Sequence, residues 1–418
     1  MELDVYFKFI LALALVLIAA RIGGELAERY LKQPAVLGEL VAGIAIGPFA
    51  LGQLFNDPII LNFATVYDAF GVYEFNVMEV ISQIAVVALL FVAGLETDVR
   101  AFLRHGKTGG AVAFGGVVLP FAFGYLVTRA LYPDAGSAGW LFMGAVLTAT
   151  SIGVTVRILM DMGRLNTVEG TTILVGAVVD DIIGIVILSV AIKVAETGSV
   201  DYLEAARIAL VGFAVWFGLL MAGVRLNRYI SLLLAPFRRS GTVPILAISM
   251  GFLIAYLVTL ADLHPVVGAY VAGLMFAATR EREEILEKTR PIMLFLAPFF
   301  FAYLGMQVDL GLLKTAVDIA SILIILAIVG KIVGCYIPAR LVGKLRHTGG
   351  MIVGIGMVPR AEVGLIIAGA GLLAGAIDRE LFGAAVAVGI ATTLITPVLL
   401  KPFFKRQASE AEAGEGSS

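Results

Sequence analysis

Long apolar runs, each bounded by a few charged residues, recur along the whole of this 418-residue chain and constrain its fold more than any other feature. A helix crossing the hydrocarbon core of a bilayer needs about 20 apolar residues, because only hydrogen bonds within the segment satisfy its backbone there. Thirteen stretches qualify: 4–30, 34–54, 78–98, 108–131, 138–160, 169–195, 203–225, 242–261, 264–280, 291–308, 315–340, 349–376 and 380–401. The runs are continuous rather than alternating with period two, which excludes a transmembrane β-barrel. The chain therefore reads as an all-α polytopic membrane protein with 13 transmembrane helices. Composition agrees, with 60% hydrophobic and only 15% charged residues, too few charges to cover a water-exposed surface of this size. The formal net charge of −2 argues against a nucleic-acid partner.

The first run resembles a signal peptide in length, but its leading residues carry Glu2 and Asp4 with a single lysine, and the helical pattern continues past Arg21 and Glu25. It is expected to be retained. Lysines and arginines, Arg157, Arg238 and Arg239 among them, crowd the loops after odd-numbered spans and the C-terminal tail, while the opposite side holds only Arg129, Lys193, Arg207, Lys314 and Arg379. The positive-inside rule then places the N-terminus outside and the C-terminus in the cytoplasm of a cell inner (plasma) membrane. The loop from Phe55 to Val77 has acidic residues and no Lys or Arg. Residues 1–405 are expected to form one transmembrane domain, and 406–418, small and acidic, a disordered cytoplasmic tail.

Most charges sit at span ends, but Asp180, Asp181, Lys331 and Arg360 do not, and Glu362 stands beside the last. A charge at mid-bilayer costs on the order of 2.5–3.5 kcal/mol on the insertion scale, so function with a partner is the default reading. Asp180 and Asp181 lie near the centre of the sixth span, about 100° apart around the helix, so one can face an ion cavity while the other turns to a different helix. Lys331, deep in the eleventh span, is the one intramembrane ammonium able to neutralise one of them. The bland alternative is a buried ion pair that only fixes packing. Two acids against one lysine leave a negative charge over, which a cation site needs and packing alone does not.

Two spans look broken. The fifth holds TATSIGVT, Thr148 to Thr155, and the twelfth holds GIGMVPRAEVG, Gly354 to Gly364, with Pro359 removing a backbone donor. Ser and Thr can bond back within an intact helix. Paired interruptions in corresponding positions instead point to a transporter site, because unwound backbone at membrane depth must line a cavity or be buried in protein. Spans five and twelve differ by seven, so they run in opposite directions, as inverted repeats with two crossed discontinuous helices require. Arg360 and Glu362 are assigned mainly to scaffolding, as charges that compensate exposed carbonyls and amides at the break.

No phosphate loop is present, since Gly330-Lys331 is followed by Ile332; transport would run on ion gradients or be passive, with no cofactor. An enzyme is not expected. An intramembrane aspartyl protease needs acids on separate helices, and a serine protease needs a histidine at depth.

Four segments, QPAVLGELVAGIAIGP (Gln33 to Pro48), LLFVAGLETD (Leu89 to Asp98), VVDD (Val178 to Asp181) and MVPRAEVGLI (Met357 to Ile366), resemble those of monovalent cation/proton antiporters of the double-aspartate, electrogenic sodium/proton exchanger type. The resemblance covers the chain to about residue 405. It implies a homodimer whose early spans form the interface, and a six-helix core, about 108–195 and 315–401, that moves. Electroneutral relatives carry Asn-Asp in place of Asp180-Asp181, and Lys331 further favours the electrogenic class. Potassium-efflux relatives normally carry a nucleotide-sensing domain after the last span, where this chain has a short tail. The implied mechanism is competition at Asp181, where burial disfavours the charged form so that a proton and a sodium ion exclude one another. Sodium would be held by Asp181, Asp180, Thr150 and Ser151, a hard oxygen set, and Asp180 would pair with Lys331 when the ion is absent. A potassium/proton antiporter and, from a different class, a passive cation channel are the alternatives.

Overall fold

A computed structural model of the chain describes residues 2–51, 65–67, 74–200, 202–234, 236, 241–261, 263–309, 311 and 316–415. Most of the loop 55–77, and Arg238, Arg239 and Lys314 of the charge asymmetry, lie outside them. The fold is all-helical apart from a short antiparallel ribbon pairing Thr65–Tyr67 with Glu74–Asn76 in the expected outer loop. In order, the helices are α1 (Glu2–Leu26), α2 (Ala35–Ile46), α3 (Val77–Glu96), α4 (Val99–Arg104), α5 (Gly106–Leu131), α6 (Gly136–Thr148), α7 (Ile152–Asp161), α8 (Val168–Thr197), α9 (Tyr202–Leu234), α10 (Val243–Thr259), α11 (Pro265–Ala277), α12 (Arg282–Met306), α13 (Val317–Leu341), α14 (His347–Gly356), α15 (Glu362–Leu373) and α16 (Arg379–Glu415). Among the described residues, nine helical stretches are long and apolar enough to cross a membrane, and the shorter apolar helices α2, α10, α11 and α15 fall on the remaining expected spans.

The chain divides into two compact units. The first comprises residues 1–96, 223–255 and 269–311. Its core includes Ala12, Val16 and Ala20 of α1 packed with Met78 of α3 and Phe299, Ala302 and Tyr303 of α12. The second comprises residues 97–222, 256–268 and 312–418, and both stretches expected to form the core, 108–195 and 315–401, fall within it. Its helix ends carry local signals. Asp98 caps α4 through the amides of Arg100 and Ala101, Thr167 caps α8 through Gly170, and Gly198, at φ +72°, ends α8 in the left-handed region.

Close approach of α5 and α13 organises the second unit. A Cβ built on Gly115 would overlap the carbonyl oxygen of Gly334, and one on Gly334 would overlap that of Gly115. Hydrocarbon supplies no hydrophobic drive between helices, so small residues that let backbones touch take its place. Gly115→Ala is therefore expected to destabilise the solubilised protein by about 1–3 kcal/mol through overpacking, although alanine is the better helix former. Gly110→Ala, on the same helix with open space around it, should be neutral or stabilising; thermal melts of the two variants check the contrast.

Two expectations need correction. The tail expected to be disordered from residue 406 instead continues α16 as helix to Glu415. Its composition suits a helix once it is anchored: Arg406 pairs with Glu410 one turn on at 3.0 Å, Gln407 donates to Glu169 at 2.7 Å and Thr348 donates to Glu410 at 2.8 Å. Arg157, grouped by sequence with the loop charges, is a buried residue of α7 paired with Asp161 at 3.0 Å.

Candidate functional site

Both suspected interruptions are real breaks, and they lie against one another. Helix α6 stops at Thr148 and α7 starts at Ile152, while α14 stops at Gly356 and α15 starts at Glu362. The unwound residues exchange hydrogen bonds across the contact. The Ser151 amide donates to the Pro359 carbonyl at 2.8 Å, and the Thr150 and Thr155 hydroxyls donate to the carbonyls of Met357 and Gly356 at 3.2 and 3.1 Å. The fifth-span segment thus supplies donors for the carbonyls that the twelfth-span break leaves without helical partners. Within the hydroxyl-rich run of the fifth span, Thr150 and Thr155 thus bond to the second break, while Thr148 bonds back to the Ala145 carbonyl of its own helix at 2.7 Å.

Charges complete the contact between the two breaks in the sense that helix dipoles favour, cations at C-terminal ends and an anion at N-terminal ends. Arg360 is fully buried and its guanidinium donates to carbonyls throughout: Leu147 at 2.9 and 2.6 Å, Val358 at 2.7 Å and Ala327 at 3.1 Å. Glu362 opens α15, and its carboxylate accepts from the Ser151 hydroxyl at 2.6 Å; Ser151 in turn caps α7 by accepting from the Val154 amide at 3.2 Å. One carboxylate therefore sits at the N-terminal ends of two half-helices.

Asp180 and Asp181, in the middle of α8, are both buried, and their environments differ. The Lys331 ammonium, also fully buried, donates to both oxygens of Asp180 at 3.2 and 3.1 Å and to the Thr148 carbonyl at 2.6 Å. The Thr150 hydroxyl is also among the groups acting on the Asp180 carboxylate. Asp181 Oδ1 is buried with no hydrogen-bond partner among the described residues, and the charges acting on it include Asp180, Glu362 and Lys331. Burying an unpaired carboxylate oxygen is costly unless something from outside the protein completes it. A proton or a hard cation does so, and oxygen donors of this kind suit the latter. Seven residues singled out from sequence, Thr150, Ser151, Asp180, Asp181, Lys331, Arg360 and Glu362, thus gather around the contact between the two breaks within the second unit.

Two contributors escaped the sequence reading. The Thr148 carbonyl, bonded to Lys331, is backbone and has no signature. Gly116 passes beside the lysine, where a Cβ would stand 3.5 Å from its Cε and Nζ and 2.5 Å from the Cys335 sulfur. The adjacent pair Gly115-Gly116 inside an apolar span was the available hint.

Comparison with known proteins follows the same line. The sequence model of the family described as sodium/hydrogen exchanger, transmembrane, matches residues 10–406. The chain is 33% identical to the high-affinity Na+/H+ antiporter NhaS3 of a Synechocystis strain, covering 97% of this chain and 92% of that one. It is 34% identical to the Na+/H+-K+ antiporter GerN of Bacillus cereus, covering 95% and 97%. Among solved structures, the sodium proton antiporter MjNhaP1 of Methanocaldococcus jannaschii superposes with a TM-score of 0.67 over 96% of each chain at 17% identity, a likeness of fold.

Proposed function

The chain belongs to the sodium/hydrogen exchanger family of transmembrane transporters, which are not enzymes, and from that membership we propose that it exchanges Na+ or Li+ for H+ across the plasma membrane by alternating access. The observation that carries the reading is the pair of unlike carboxylates at the crossing, one neutralised by Lys331 and the other, Asp181, with a buried oxygen left open. In this mechanism a proton and a sodium ion compete for Asp181, with Asp180 and oxygens of Thr150 and Ser151 completing the cation's shell. Arrival of the cation breaks the Asp180–Lys331 pair, and the lysine releases a proton, so that net charge crosses the membrane. Ser151 already donates to Glu362 and accepts from Val154, which leaves it one lone pair for the ion. Alternating access fits 13 spans in two inverted repeats, with the N-terminus outside, the C-terminus in the cytoplasm and a homodimer as the assembled form.

A second reading, potassium/proton exchange, has one observation in its favour, the Na+/H+-K+ designation of the Bacillus cereus relative. Proteoliposomes with an imposed pH gradient separate the possibilities. Sodium or lithium salts are expected to dissipate the gradient, at a rate that changes with membrane voltage. A response to potassium alone moves the protein to the second reading. Sodium flux indifferent to the opposing proton gradient makes it a passive cation channel instead.

A further inference from the structure

The unwound peptide at Arg360 is held from both sides by the last helix. The Arg360 amide donates to the Thr392 hydroxyl at 3.3 Å, and the Thr393 hydroxyl donates to the Arg360 carbonyl at 3.3 Å. Thr392 passes its own proton back to the Val388 carbonyl at 2.7 Å. One turn earlier on α16, a Cβ on Gly389 would stand only 2.9 Å from the Arg360 carbonyl oxygen, so the helix backbone closes on this peptide. Both threonines are buried. No helical neighbour can satisfy the backbone of Arg360, because α14 has ended at Gly356 and α15 begins at Glu362, and at this depth water does not substitute.

We infer that Thr392 and Thr393 are positioning residues for cation exchange, acting through Arg360; the inference rests on the antiporter function proposed above. The line of contacts is continuous. The two hydroxyls locate the Arg360 peptide, and its guanidinium grips the Leu147 carbonyl through two nitrogens. Leu147 precedes Thr148, whose carbonyl accepts the Lys331 ammonium, and that ammonium pairs with Asp180. Thr396, buried on the same helix, bonds among the described residues only to the Thr392 carbonyl of its own helix, at 2.6 Å, and supplies an internal control. Threonine hydroxyls in membrane helices usually bond back in this local way; Thr393 reaches across to the break instead.

Sodium-driven proton movement in proteoliposomes, measured against sodium concentration at several pH values, tests the assignment. Thr392→Val with Thr393→Val keeps the shape of both side chains and removes both bonds. The half-saturating sodium concentration is expected to rise about tenfold, the size of effect that loss of two ordinary hydrogen bonds allows, and the pH profile to shift with it. The serine pair Thr392→Ser, Thr393→Ser should restore wild-type values to within about twofold, and Thr396→Val should not change them. If the valine pair fails to assemble, Thr393→Val alone, losing a single bond, should raise half-saturation about threefold. Valine variants with unchanged half-saturation and pH profile overturn the inference, as do serine variants that match the valine ones. A lower melting temperature with unaltered half-saturation assigns the threonines to stability alone and overturns it equally. Wild-type protein without a sodium response would overturn the proposed function itself, and this inference with it.

Discussion

Asp181→Asn is expected to reduce sodium-driven proton movement to the level of empty vesicles while leaving the protein folded. The amide has nearly the shape of the carboxyl group, so packing around the middle of α8 need not change. What is lost is the ability to exist as an anion that either a proton or a cation can neutralise, and the other two carboxylates at the breaks are already engaged: Asp180 by Lys331 and Glu362 by Ser151. Stability should hold or rise, because Asp181 Oδ1 is buried without a hydrogen-bond partner among the described residues and faces the like charges of Asp180 and Glu362. Removing one of several clustered buried carboxylates relieves repulsion. Transport in proteoliposomes and a thermal melt of the same preparation give the two readouts. Full transport by the variant would sink the competition mechanism, and a collapsed melt would move Asp181 into the scaffold.

Much of this site is legible in sequence because the bilayer makes exceptions conspicuous. Two acids and a lysine at the middle of apolar spans, and hydroxyls or proline where plain hydrocarbon belongs, break a pattern that lipid enforces. Helix breaks at Ala149–Ser151 and Met357–Ala361 follow from that local chemistry. Partner choice does not. Residue spacing places Asp180 and Asp181 about 100° apart, and which of them meets Lys331 depends on the rotation of α8 relative to α13. That rotation is set by third elements, including α5, where Gly115 and Gly116 let the lysine helix come close. The acceptors of Arg360 lie on three separate segments, at Leu147, Val358 and Ala327, and all are main-chain atoms that carry no residue signature. The helical tail was illegible for a related reason, since Gln407 and Glu410 gain their order from Glu169 and Thr348, far away in sequence.

Lys331→Gln separates the two tasks the lysine could perform. The glutamine amide can still donate to the Thr148 carbonyl, but it brings no charge, and Asp180 then remains a buried anion without its cation. Breaking a buried pair from one side costs about 3–5 kcal/mol, so a marked fall in thermal stability is expected at alkaline pH. At acid pH, Asp180 in the variant can take up a proton and become neutral, and the loss should shrink. Pairing Lys331→Gln with Asp180→Asn removes both charges together and is expected to recover most of the stability, as neutral replacements of buried ion pairs generally do. Transport reads the other task. With Asp181 intact, the single variant should still exchange sodium for protons, but without the response to membrane voltage, because the charge that Lys331 would have carried no longer moves. Voltage-dependent exchange that survives Lys331→Gln would confine the lysine to holding Asp180 and the Thr148 carbonyl in place.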